Sequence, residues 1–189
     1  MDKSWIKADR DSLEYEIGVE EVREKDELET FAFLDPGATF GLNADFQKGV
    51  VKRLGEGNPD RLFFFPYNQN VHWVLSIIWE GEIYILNPLS HPTHFPALER
   101  ALTEAVKTFN CTTGRGNTIP KVKYLAGSPK QPGGHECGYV VMRYMKDIIE
   151  DHKDLKFTSN WASKSRKCYT RDEVDQVRYE VLDYIQEFV

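Results

Sequence analysis

Cysteine is scarce in this chain: Cys111, Cys137 and Cys168 are the only three in 189 residues. An odd, sparse count argues against a disulfide framework. The opening MDKSWIKADRDSLEYEI has no apolar core that could serve as a secretory signal, so a reducing compartment is expected. Long apolar runs are also missing, and without roughly eighteen consecutive apolar residues no membrane span is expected. No basic run interrupts a net charge of −6, which leaves nucleic-acid binding without an electrostatic footprint. His135 and Cys137 lie close together in HEC, but no second pair of soft ligands follows at finger-like spacing. Neither a metal nor a cofactor is expected. No low-complexity linker or internal repeat divides the chain. It reads as a single domain over 1–189, with charge-rich residues 1–30 as a possible N-terminal arm.

Hydrophobic patterning is what the chain does have. The spacing predicts a helix around Asn43 to Leu54. RLFFFPY (61–67), VHWVLSIIW (71–79) and EIYILN (82–87) are rich in β-branched and aromatic residues and predict three strands. Glu80-Gly81 suits a two-residue hairpin turn, and Asn87-Pro88 stops the third strand because proline cannot donate to a ladder. Helical spacing runs from Pro96 to Phe109 with Ala97, Leu98, Ala101, Leu102, Ala105, Val106 and Phe109 on one face. IPKVKYLAG (119–127) alternates like a strand. A glycine turn then leads to a helix over Cys137 to Glu150. A last helix opens on a capping-box pattern, Thr170 with Glu173. Helices before and after a mostly antiparallel sheet predict an α+β fold.

The stretch QPGGHECGYVVMRYM, Gln131 to Met145, carries the chemistry. A thiol at the start of a helix lies beside unpaired backbone N–H groups and the positive end of the macrodipole, both of which favour the thiolate. On this window alone, Cys137 reads equally well as a small buried hydrophobe. A nucleophilic thiol needs a base. Of the five histidines, His91, His94 and His152 read as surface, and His135 lies too near the thiol in sequence to serve, though it could line a cleft. His72 interrupts an apolar strand. If Glu80-Gly81 is the turn, Trp79 faces Glu82 and Asn87 falls opposite Val74, diagonal to His72 and on its face. Such neighbours have Cβ atoms roughly 7–8 Å apart, within side-chain reach. The Asn87 amide oxygen could then orient the imidazole, although an ordinary Asn-Pro turn would use the same residues. Gln131, folded back by Pro132 and the glycines, could donate an N–H to a developing oxyanion together with the Cys137 backbone N–H. Taken alone it reads as a surface glutamine.

Together these residues resemble the Ulp/SENP family of ubiquitin-like-protein proteases, cysteine peptidases that process and remove SUMO and its relatives. The family pattern is His-Trp on a strand, an acidic residue closing the next strand, then Gln-x5-Cys-Gly opening a helix. Here VHWVLSII, EIYILNPL and QPGGHECGYVVMRYM follow that order from about Leu62 to Glu150. FAFLDP and YILNPL look most like the plant branch, whose members often occur in transposon-derived proteins. The resemblance implies an adenain-like cysteine-protease fold, with a mixed sheet flanked by helices and the nucleophile at the N-terminus of a buried helix. It implies Cys137 as nucleophile, His72 as general base and acid, Asn87 as orienter and Gln131 at the oxyanion hole. Trp73, Gly134 and His135 would line the approach of a Gly-Gly tail. The implied function is cleavage after that tail through a thioester. The implied partner is a ubiquitin-like protein, and the implied state is a monomer in nucleus or cytoplasm. One departure stands out: Asn87 occupies the usual aspartate position. A second reading is therefore a binding module that grips the modifier with weakened or lost catalysis. A third, acetyl transfer by the same fold, would need a basic phosphate-binding cluster that the sequence does not offer.

Overall fold

The structure, a computed structural model, describes residues 30–34, 42, 44–91, 93–150 and 167–186. The expected N-terminal arm and His152 lie outside the described residues.

Its centre is a five-stranded sheet in the order β1-β2-β3-β4-β5, formed by Phe31–Phe33, Leu62–Gln69, His72–Trp79, Glu82–Leu86 and Val122–Tyr124. Among the described residues four helices accompany it: α1 (Ala44–Leu54), α2 (Pro96–Thr112), α3 (Cys137–Glu150) and α4 (Arg171–Gln186). The three middle strands are antiparallel, whereas β1 and β5 join the edges in parallel. The sheet is therefore mixed, as the family resemblance implies, and less antiparallel than strand spacing alone suggests.

Both faces of the sheet are covered, and this explains why LFFFPY is a continuous apolar run. Alternate residues Phe63, Phe65, Val74, Ile78, Ile83 and Ile85 pack with apolar residues of α1 and α2. Their neighbours Leu62, Phe64, Leu75, Ile77 and Leu86 pack with α3 and α4. Pro66 sits within β2, where it cannot donate to a ladder. The pairing of β1 ends opposite Phe64, so at Pro66 only β3 is a neighbour among the described residues. Along α2 the buried stripe is Leu98, Ala101, Leu102, Ala105, Val106 and Phe109. Ala97, expected on that stripe, is exposed in the first turn. Strand β5 occupies only the middle of the expected 119–127 segment, because the neighbouring strand pairs with it only from Ile83 to Ile85.

The capping box is present at α4. Thr170 N–H donates to Glu173 Oε2 at 2.8 Å, and Glu173 N–H donates to Thr170 Oγ1 at 3.3 Å. Removing the hydroxyl in Thr170→Ala is expected to lower stability by about 1 kcal/mol, read from the midpoint of urea unfolding at unchanged slope.

Two hairpin turns set the register of the sheet. At Glu80-Gly81 both residues have positive φ (50° and 73°), and Trp79 pairs with Glu82 as the spacing predicts. The second turn is Asn70-Val71, with φ of 51° and 67°. Its conformation suits asparagine and strains a β-branched valine. The Val71 N–H donates to Asn68 Oδ1 at 3.1 Å, which helps hold the turn. The next residue is His72.

Candidate active site

The site forms where β3 begins, β4 ends and α3 starts. The hairpin supplies its first half. With Leu75 paired to Leu86, the ladder brings Asn87 beside His72, and His72 Nε2 lies 2.9 Å from Asn87 Oδ1. The diagonal contact expected from the turn is thus made. A second hydrogen bond fixes its chemistry: Leu89 N–H donates to the same Oδ1 at 3.0 Å. That atom must therefore be the amide oxygen, because an NH2 group would face a donor. Nε2 must in turn carry the hydrogen, and in the neutral ring Nδ1 is left with its lone pair. Asn87 is only 6% exposed, so the acceptor side of this bond is shielded from water, while the imidazole is half-buried.

The thiol supplies the second half. Cys137 opens α3 at 8% exposure, and its Sγ lies 3.8 Å from the carbonyl oxygen of Val71, the residue directly before His72. The strained turn therefore brings the sulfur against the start of the strand that carries the imidazole. The first intrahelical hydrogen bond nearby is Val140 N–H to Glu136 O, at 2.9 Å. Backbone N–H groups of Cys137, Gly138 and Tyr139 precede it, in the first turn that also carries the thiol. Helix α3 is held by Val140, Val141, Tyr144, Met145, Ile148 and Ile149, all buried against the sheet.

The loop before the helix is anchored from several sides. Gln131 N–H donates to Pro88 O at 2.9 Å, tying the loop to the end of the hairpin. Lys130 Nζ donates to Asn87 O at 2.8 Å, and burial holds its ammonium below the usual lysine range. Lys130 N–H donates to Lys167 O at 3.0 Å, and Lys130 O accepts from Tyr169 N–H at 2.9 Å. The Tyr144 hydroxyl donates to Pro129 O, and the Tyr169 hydroxyl to Asp147 Oδ2 at 2.7 Å. Burial pushes both phenols well above the usual tyrosine range, so they remain donors.

The remaining expected site residues are placed as follows. Gln131 Nε2 donates to Gly133 O at 2.7 Å, while its Oε1 is buried without a partner. An NH2 group has two hydrogens, so one bond to Gly133 does not exhaust it. Trp73 is half-buried and packs against the sheet face that α3 covers. Gly134 and His135 are exposed, and a Cβ at Gly134 would meet nothing within 4 Å. At Gly133 an added Cβ would come within 2.5 Å of Glu136 Oε1, so the glycine makes room for that carboxylate. Glu136 Oε2 accepts the His135 N–H at 3.0 Å. His91 and His94 are exposed, as expected. Among the described residues no group of three His, Cys, Asp or Glu side chains converges to hold a metal ion.

Sequence reasoning missed Val71, Lys130 and Phe95. A lysine next to a glutamine reads as surface, and only the fold shows that its amine reaches the end of β4. Phe95 ends the Leu89–Phe95 loop, which reads as exposed, yet it is 2% exposed with its ring 6.2 Å from the His72 ring. The one available signal was a large aromatic residue directly before a helix-opening proline.

The architecture is that of solved cysteine-protease domains. A de-sumoylating protease matches with a TM-score of 0.61 at 17% identity, over 94% of this chain and 81% of that one. The C-terminal Ulp1 protease domain in complex with Smt3, the yeast ortholog of SUMO, matches with a TM-score of 0.57 at 18% identity, over 89% of this chain and 72% of that one. The catalytic domain of the Chaetomium thermophilum Ulp1-like SUMO protease gives 0.61 at 15% identity, over 89% of this chain and 67% of that one. Identities this low establish the fold alone. No curated protein matches the sequence. The family model for the Ulp1 protease family, C-terminal catalytic domain, matches residues 60–180. The chain belongs to the Ulp1 protease family and carries its cysteine-protease catalytic domain.

Proposed function

We propose that the protein cleaves after the C-terminal Gly-Gly of a ubiquitin-like modifier of the SUMO type, acting on precursors or on isopeptide-linked conjugates. The observation that carries this reading is the meeting of the Cys137 thiol with the start of β3, 3.8 Å from the carbonyl oxygen of Val71, the residue before His72, whose Nε2 is engaged by Asn87. Cys137 gives its proton to His72 Nδ1, and the thiolate attacks the carbonyl carbon of the terminal glycine. The oxyanion is received by the Cys137 backbone N–H and by the free hydrogen of the Gln131 amide. Collapse breaks the C–N bond, and the amine leaves with the proton from the imidazolium. A thioester remains. Water, giving a proton to His72 Nδ1, hydrolyses it and restores the thiol. Trp73, Gly134 and His135 line the approach, in a channel that suits residues without side chains. The protein works as a monomer in nucleus or cytoplasm, where three unpaired cysteines persist.

The alternative, a modifier-binding module without turnover, draws on Asn87. Against it, Asn87 accepts from both His72 and Leu89 in an arrangement suited to orienting the imidazole. Vinyl-sulfone derivatives of SUMO, ubiquitin and other ubiquitin-like proteins test the proposal. A SUMO-type probe is expected to form a covalent adduct mapping to Cys137. Labelling by ubiquitin alone would keep the protease and change the modifier. Binding without any adduct would favour the module, and no interaction with any member of the panel would remove the proposal.

A further inference from the structure

The N-cap of α2 is an odd place for phenylalanine. Ser, Thr, Asn or Asp there would offer an oxygen to the first helical N–H groups, and Phe95 makes no side-chain cap. Its backbone is held instead by groups from elsewhere. Phe95 N–H donates to the Tyr124 hydroxyl at 2.9 Å and to Glu99 Oε1 at 3.3 Å, and Tyr124 Oη donates to Glu99 Oε1 at 2.5 Å. Pro96 follows and restricts the backbone at the helix entry. The result is a ring at 2% exposure, stacked on His72 at 6.2 Å and 23°.

We infer that Phe95 is a positioning residue that keeps water off the His72–Asn87 hydrogen bond, which allows a neutral carboxamide to orient the imidazole. The inference rests on the roles given above to His72 and Asn87. Its physical reason is the strength of the acceptor. A bond between neutral partners yields little when water competes for both, and gains when water is excluded. A carboxylate forms a stronger, charge-assisted bond and tolerates wetting better. With Asn at position 87, the orientation of the imidazole depends on the dry cover, and the Tyr124–Glu99 clamp on β5 and α2 keeps that cover in place.

The test uses the full chain. In Phe95→Ala, kcat on a modifier–fluorophore substrate is expected to fall about tenfold with KM unchanged, the size of one weakened hydrogen bond. Asn87→Asp placed in that background is expected to recover most of the loss, which a merely structural role for the ring would not produce. A second readout needs no activity. The His72 Nε2–H proton, assigned by its absence from His72→Gln, should exchange slowly with solvent by NMR in the wild type. It should be lost to fast exchange in Phe95→Ala. Tyr124→Phe, which removes the clamp hydroxyl, should lie between them. Phe95→Leu keeps an apolar cover and should retain slow exchange, which keeps the inference testable if the alanine variant does not fold. Equal protection in wild type, Phe95→Ala and Tyr124→Phe, or a kcat loss that Asn87→Asp leaves untouched, would overturn it. Failure of every modifier probe on the wild type would instead remove the protease proposal and leave the exchange measurement standing.

Discussion

Cys137→Ala is expected to reduce single-turnover cleavage of a modifier–fluorophore substrate by more than about 10⁴-fold, because the proposed mechanism gives no other group the role of nucleophile. Only the sulfur is lost. Since Cys137 is a small side chain at the first turn of a helix held by seven other buried residues, the thermal midpoint should barely move. Affinity for the modifier should survive, because the substitution removes one sulfur from a residue that is 8% exposed and alters no surface side chain. The expected pattern is intact folding, intact binding and absent turnover. Cleavage that persisted in the alanine variant would show that another nucleophile acts. Lost binding together with lost cleavage would point to a collapsed helix start.

Phe64→Ala should have the largest effect on stability. The side chain is fully buried near the middle of β2, with Phe31 stacked on it at 5.7 Å and Phe33 tilted against it at 5.3 Å. It belongs to the cluster that includes Val140, Tyr144 and Met145 of α3. Truncation to alanine at such a site costs about 3–5 kcal/mol, a large share of the roughly 5–15 kcal/mol that keeps a domain folded. Urea unfolding should show the midpoint falling steeply. Where the variant remains folded, cleavage should also decline, because α3 carries Cys137 on its first residue and rests on the weakened cluster. A change below about 1 kcal/mol would mean that the neighbouring phenylalanines close the cavity by themselves.

Period and turn chemistry carried much of this structure into view. The three central strands are legible from their β-branched and aromatic residues, and α2 from apolar residues recurring at spacings of three to four. The His72–Asn87 contact follows from one turn: once Glu80-Gly81 closes the hairpin, side-chain alternation leaves Asn87 only one face. Where legibility failed, tertiary context had overruled local chemistry. Val71 takes a backbone conformation that its own side chain disfavours, so no turn signal marked Asn70-Val71. Phe95 lies in a proline-rich loop that reads as solvated, yet it belongs to the core cluster of the sheet, α1 and α2 and faces His72, more than twenty residues earlier in the chain. Lys130 reads as an ordinary surface cation because its acceptor, the Asn87 carbonyl, is more remote still in sequence. The parallel edges are invisible to hairpin logic, since β1 and β5 are only three residues each and reach their partners across long connections.

The pairing of Lys130 with the 167–169 segment has a consequence for where the catalytic unit ends. A fragment stopping at Glu150 would keep the thiol, the imidazole and both amides. It would also lose Tyr169, whose backbone amide braces the stretch leading into Gln131 and whose phenol ties it to Asp147 of α3. The smallest piece of this chain that contains the proposed catalytic groups is therefore expected to be shorter than the smallest piece that works, the difference being a buttress remote from the thiol.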